Sequence, residues 1–167
     1  MIHFDLPTEK SSIIKVIGVG GGGSNAVNYM FNQHIEGVNF VICNTDAQAL
    51  AISGVPNRVQ LGPYLTQGLG AGANPDIGRQ ATEESLEEIR RILEVNTKMV
   101  FVTAVMGGGT GTGGAPIVAK ICKEMGILTV GIVTTPFAYE GKKRMQQADE
   151  GIKQLRQHVD TLLIISN

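Results

Sequence analysis

The apolar positions of this chain fall into short two-sided runs separated by longer one-sided ones. Ile13 to Val19, Phe40 to Cys43, Met99 to Ala104, Leu128 to Thr134 and Thr161 to Ile165 are dominated by apolar, often β-branched residues. That is how strands buried on both faces read. Arg58 to Leu61 reads as a further, weaker strand. Between these runs apolar residues recur at helical spacing: Ala26, Val27, Met30 and Phe31; Leu86, Ile89, Ile92 and Leu93; Ile117, Val118, Ile121, Cys122 and Met125; and Met145, Ala148, Ile152, Leu155 and Val159. Each set draws one stripe along a helix. Alternating strands and helices predict right-handed crossovers and an α/β fold, a doubly wound, Rossmann-like, mainly parallel sheet with helices on both faces.

Ligands of such sheets bind beyond the carboxyl ends of the strands. Of the 22 glycines, 14 cluster at 18 to 23, 68 to 72 and 107 to 114, and each cluster falls at or beyond the end of a predicted strand. With 167 residues the chain fits one domain, expected over residues 13 to 167 behind a flexible extension of residues 1 to 12. Charged residues make up 17%, against a usual level of about 25%. A net charge of −1 supplies no basic field for nucleic acid or an anionic membrane. No run of about 18 apolar residues predicts membrane insertion, so a cytoplasmic address is expected. Cys43 and Cys122 have no ligand spacing and read as core thiols. His3, His34 and His158 likewise have no ligand spacing, and no side-chain metal site is expected. The last strand, ending at Asn167, has an apolar face that a following helix would normally cover, and the chain is read as truncated there.

Gly18-Val-Gly20-Gly-Gly-Gly23 follows a strand and precedes the helix start at Ser24-Asn25-Ala26-Val27. Backbone amides at such a junction can crowd around an anion. Alone, the motif fits either a dinucleotide site or a tight strand-to-helix turn. A second strand-to-helix loop, Met106-Gly-Gly-Gly-Thr-Gly-Thr-Gly-Gly114, changes the picture, because two facing phosphate loops suit an oligophosphate. Thr110 and Thr112 add hydroxyls for phosphate oxygens or water. Neither loop has a lysine and the G-x-x-x-x-G-K-[ST] pattern is absent, which excludes the ordinary P-loop. Neutralisation is then left to amide dipoles, a metal ion and a more distant base such as Arg144.

Together, Gly20 to Asn25, Asn44-Thr-Asp46, Gly68-Leu-Gly-Ala-Gly-Ala-Asn-Pro75, Gly107 to Gly113 and Pro136-Phe with Glu140-Gly-Lys-Lys-Arg144 resemble the FtsZ family, the bacterial relatives of tubulin. The resemblance runs in order along nearly the whole chain. It implies a GTP- and GDP-binding protein, with Mg2+ held through the phosphates, that polymerises head to tail at the division septum and meets division-site regulators. By the same resemblance Gly21, Gly22, Gly23, Ser24 and Asn25 surround the α and β phosphates and the nucleoside. Gly70, Ala71, Gly72, Ala73 and Asn74 match the loop that senses the γ-phosphate. Gly108, Gly109, Thr110, Gly111 and Thr112 match the signature loop around the phosphates. Glu140 and Arg144 match sugar and phosphate contacts, Asn167 a base or ribose contact, and Asn44 and Asp46 residues that position water or metal. Val105 departs from the family, which more often has glycine there.

Plainer roles stand beside these. Glu140 and Arg144 are spaced as an i,i+4 pair. Asn74-Pro75-Asp76 suits a helix entry, and Asp46 an N-cap for Ala47 to Ile52. In the family, hydrolysis is completed by an acidic N-x-D-x-x-[DE] loop of the next subunit. Asn44-Thr-Asp46 begins that pattern, but Ala49 stands where the acid belongs. The chain therefore carries no catalytic residue of its own by this reading, and needs a complementary carboxyl-terminal half. Two other functions fit parts of the sequence: a dinucleotide-dependent enzyme domain using Gly18 to Gly23, and a structural piece that docks through its apolar face without nucleotide.

Overall fold

The computed structural model describes residues 11–167. Residues 1–10, which carry His3 and most of the expected extension, lie outside the described residues. In chain order the elements are β1 (Ile14–Val19), α1 (Gly20–Asn32), β2 (Val38–Asn44), α2 (Ala47–Ala51), β3 (Asn57–Gln60), α3 (Pro63–Thr66), α4 (Pro75–Glu84), α5 (Leu86–Glu94), β4 (Met99–Val105), α6 (Thr110–Glu124), β5 (Leu128–Thr134), a 3-10 turn (Ala138–Glu140), α7 (Lys142–Arg156) and β6 (Thr161–Ile165). The strands form one sheet in the order β3-β2-β1-β4-β5-β6, and every pairing is parallel. The chain winds outward from β1 in one direction, then returns to β4 and winds outward in the other. β1 and β4 are neighbours at this reversal, so their carboxyl ends flank the crevice where such sheets bind ligands.

Alternation along the strands divides the core in two. Ile17, Val19, Val41, Cys43, Val100, Val102 and Ala104 point to the face covered by α4, α5, α6 and α7. Val16, Phe40 and Ile42 point to the opposite face, where they pack with Val27 of α1 and Leu50 of α2. The second face is covered only as far as α1 reaches. Beyond it Leu163 and Ile165 of β6 are about half exposed, at 53% and 47%.

Helices α4 and α6 approach closely because their contact surfaces carry glycine. A Cβ at Gly113 would run into the backbone of Pro75, one at Gly78 into the carbonyl of Gly109, and one at Gly114 would lie 2.6 Å from the Thr82 hydroxyl. The Thr82 hydroxyl bonds the Gly78 carbonyl at 2.8 Å inside this seam. The seam fixes the first turn of α6, and hence the loop before it, against the first turn of α4.

Both cysteines are fully buried and free. Burial pushes the Cys43 thiol up to about 12, with Glu88 adding to the shift, and burial also raises Cys122 to about 12. The folded state therefore holds two protons that the unfolded chain releases near pH 9. Stability from these groups is fully present below that pH and is lost progressively as the pH rises toward 12. Urea denaturation should show a falling midpoint from pH 9 upward, and replacing both cysteines with alanine should flatten that alkaline limb.

Candidate nucleotide cleft

The two ends of the crevice are built from helix starts. Sequence spacing predicts that α1 begins at Ser24, but the helix starts at Gly20, so the glycines form its first turn rather than a preceding loop. Glycine is a poor helix former; here close packing outweighs that preference. A Cβ at Gly23 would lie 2.5 Å from the Thr103 carbonyl, and one at Gly22 would strike the Val105 side chain. Likewise α6 starts at Thr110, inside the second glycine loop. A Cβ at Gly20 would be 2.7 Å from the Gly111 amide nitrogen, so the two first turns are in contact.

Neither helix has a side-chain N-cap hydrogen bond, and neither has an acidic residue in its first turn. Their leading amides are thus left without the partners that a helix start normally recruits. Val19, Gly20, Gly21, Gly22, Val105, Gly108, Gly109, Thr110, Gly111 and Arg144 line a cleft of about 240 Å³ between them. A Cβ on Gly21 or Gly108 would meet nothing within 4 Å, so the bare backbone faces open space. Uncapped amides at two touching helix starts and one guanidinium on the rim suit an anion with more than one charged group.

A third loop closes against the second. A Cβ at Gly109 would sit 2.8 Å from the Asn74 amide nitrogen and 2.9 Å from the Ala71 side chain. This loop is pinned to the end of β2 by Gly70 N–H donating to the Thr45 carbonyl at 3.3 Å and Ala47 N–H to the Gly68 carbonyl at 3.1 Å. Thr45 had no expected role, yet its buried hydroxyl lies 2.6 Å from that of Thr110 and joins β2 to the second loop. Its position one residue past a strand is the only signal the sequence offered.

Several predicted residues are used in holding loops. Asp46 caps α2, accepting from the N–H groups of Gln48 at 2.9 Å and Ala49 at 3.1 Å. Asn44 is buried and accepts from Asp46 N–H. Asn74 caps α4 by accepting from Asp76 N–H at 3.0 Å. The buried Thr112 hydroxyl accepts from Gly107 N–H at 2.8 Å. Ser24 is also buried, and its hydroxyl has no partner, while Asn25 is exposed on α1. Gly72 and Ala73 are exposed, Gly70 is half-buried, and Ala71 is packed inward.

Glu140 and Arg144 form the anticipated i,i+4 pair at 3.4 Å, and Glu140 also accepts from Phe137 N–H at 2.6 Å. Arg144 thereby stays on the cleft rim, at the start of a helix whose first residues are Lys142, Lys143 and Arg144. Asn167 is exposed and donates to the Thr135 carbonyl at 2.7 Å, which sets it beyond the end of β5. Of the predicted residues, the first two glycine loops and Arg144 meet in one cleft. The third loop touches it through Gly109, and Glu140 reaches it through Arg144. A larger groove of about 520 Å³ lies outside the cleft, between α4, α6 and α7. Glycine amides do not dominate its lining.

Fold and cleft together define a doubly wound domain of the nucleotide-binding class, with two glycine-built helix starts meeting at its switch point. Residues 13–167 match the family model described as Tubulin/FtsZ family, GTPase domain, and the chain belongs to that family. It is 60% identical over 158 residues to a Pseudomonas putida protein described as cell division protein FtsZ, covering 95% of this chain and 39% of that protein. Among solved structures, an empty FtsZ dimer from M. jannaschii superposes with a TM-score of 0.90 at 48% identity, over 94% of this chain and 46% of that one. A GTPγS-bound protofilament of CetZ2 from Haloferax volcanii superposes with a TM-score of 0.83 at 26% identity, over 92% and 48% of the two chains. The chain thus spans about two fifths of the curated relative it matches.

The cap geometry separates structural from ligand roles at Asp46. Asp46→Ala should cost about 1 kcal/mol through the lost cap, readable as a lower urea midpoint. It should leave nucleotide affinity nearly unchanged, because the Asp46 carboxylate is engaged by the Gln48 and Ala49 amides.

Proposed function

We propose that this chain binds GTP and GDP in the cleft between α1 and α6, as the amino-terminal part of a self-assembling cell-division GTPase. The observation that carries this reading is the pair of uncapped, glycine-built helix starts meeting across one cleft. In this reading Gly21 to Asn25 surround the α and β phosphates and the nucleoside, and Gly108 to Thr112 wrap the phosphates. The loop Gly70 to Asn74 meets the γ-phosphate, Glu140 and Arg144 serve sugar and phosphate, and Asn167 serves the base or ribose. The residues present suit the group, since backbone at Gly21 and Gly108 is open to a close-lying phosphate. Mg2+ prefers phosphate oxygens and water. The cleft lining contains no carboxylate, so the ion would arrive with the nucleotide.

Residues 13–167 act as one nucleotide-binding domain in this account. GTP hydrolysis takes place only when an adjacent subunit supplies the acidic loop, which the sequence of this chain does not contain. The partners are further copies of the full protein in a head-to-tail filament, a carboxyl-terminal half and division-site regulators, at the septum in the cytoplasm. Among the described residues no helix is long and apolar enough to cross a membrane. The FtsZ dimer and the CetZ2 protofilament among the similar structures support self-assembly.

The test is a fluorescent-GTP titration of the folded chain with Mg2+, competed separately by GTP, GDP, ATP and NAD. Displacement by the two guanine nucleotides and not by ATP or NAD is expected. Displacement by NAD would replace this reading with a dinucleotide domain.

A further inference from the structure

We propose that Gln147 is a positioning residue that ties the second glycine loop to the loop Gly70–Asn74 and so holds the latter in place for a terminal phosphate. The last step rests on the reading of that loop under Proposed function. Gln147 lies on α7, one turn after Arg144 and on the same side of the helix. Its amide nitrogen donates to the Gly107 carbonyl at 2.9 Å and to the Ala73 carbonyl at 3.4 Å. Both partners are acceptors only, so the NH2 end of the amide must face them.

The two carbonyls belong to residues with positive φ, 58° at Ala73 and 113° at Gly107. For Ala73, which has a Cβ, that conformation costs roughly 1–2 kcal/mol, and an outside bond is needed to offset it. The remaining fastenings of the loop act elsewhere: Gly70 N–H on Thr45, Asn74 N–H on the Ala71 carbonyl, and the Asn74 side chain on Asp76 N–H. Gln147 alone among these spans both loops. It lines the outer groove rather than the cleft, so it reaches a bound phosphate only through the loops it holds.

The exchange of backbone amides in the nucleotide-free chain tests the tie directly. Gln147→Glu keeps the shape and turns a donor into an acceptor facing two carbonyls; Gln147→Leu removes the donor. In both, the amides of Asn74 and Gly107, which donate to the Ala71 carbonyl and the Thr112 hydroxyl, should exchange about tenfold faster, the size expected for one lost hydrogen bond. Protection in α7 and the melting temperature should hold, and Gln147→Lys, which restores a long donor, should recover the slow exchange. Unchanged exchange in either loop of a folded Gln147→Leu or Gln147→Glu chain overturns the tie. Titration of the same variants with GTP and GDP tests the consequence: the preference for GTP should fall while GDP affinity stays. A parent chain that prefers GTP and a variant that keeps that preference despite faster exchange would refute the phosphate-positioning role. A parent chain with no preference would instead refute the reading of the loop, and the exchange result would still decide the tie.

Discussion

The contact between the first turns of α1 and α6 is the constraint on which the rest of the domain depends. Two helices that leave neighbouring parallel strands would normally be held apart by their side chains. Here Gly20 lies against the Gly111 backbone and Gly23 against the Thr103 carbonyl, so both helices start within a few ångströms of each other. Their amide ends point into one small volume, and a site with strong positive potential results without a cationic side chain in either loop. The arrangement has a cost. Two uncapped helix starts side by side bring like partial charges together, a local cost that a bound anion would relieve.

The fastening of that contact comes from outside it. The α4–α6 seam at Gly78, Gly113 and Gly114 fixes the axis of α6, and the Thr45–Thr110 pair fixes its first residue to the end of β2. Asp46 and Asn74 cap α2 and α4: α4 follows the third loop, and the start of α2 is bonded to it by Ala47 N–H on the Gly68 carbonyl. Of these four helix starts, the two beside the third loop, α2 and α4, are capped and the two that open on the cleft, α1 and α6, are not; α3, α5 and α7 also begin without a side-chain cap. The same molecule supplies the comparison, since all four helices start near the carboxyl edge of one sheet.

Much of this was legible in the sequence. Two-sided apolar runs located five strands, with β5 and β6 bounded as observed, the weaker reading at Arg58 to Leu61 located β3, and the glycine clusters fall at the carboxyl end of the sheet. The helix starts were placed too late because glycine reads as loop, and only tertiary contact reveals that it serves as a first turn. Thr45 and Gln147 were invisible for a related reason. Thr45 acts through one hydrogen bond to a residue 65 positions away, and Gln147 through two, to residues 40 and 74 positions away, and no local pattern encodes such pairings. Asp46 and Asn74 were readable as caps because that chemistry is local, within three residues of each.

The distribution of charge fits the same logic. Overall the chain is nearly neutral, so its bulk field would neither attract nor repel a nucleotide strongly. Yet α7 opens with Lys142, Lys143 and Arg144 and has no acid in its first turn, an order that opposes its own dipole. Such a start is disfavoured for the isolated helix. It becomes favourable when a polyanion sits beside it, because the same cations then act with the dipole instead of against it. Glu140, which bonds both Arg144 and the Phe137 amide, keeps the guanidinium from swinging away into solvent. On the proposed reading, a local arrangement that is unfavourable alone and favourable beside a phosphate would make nucleotide occupancy part of the stability of this edge of the domain.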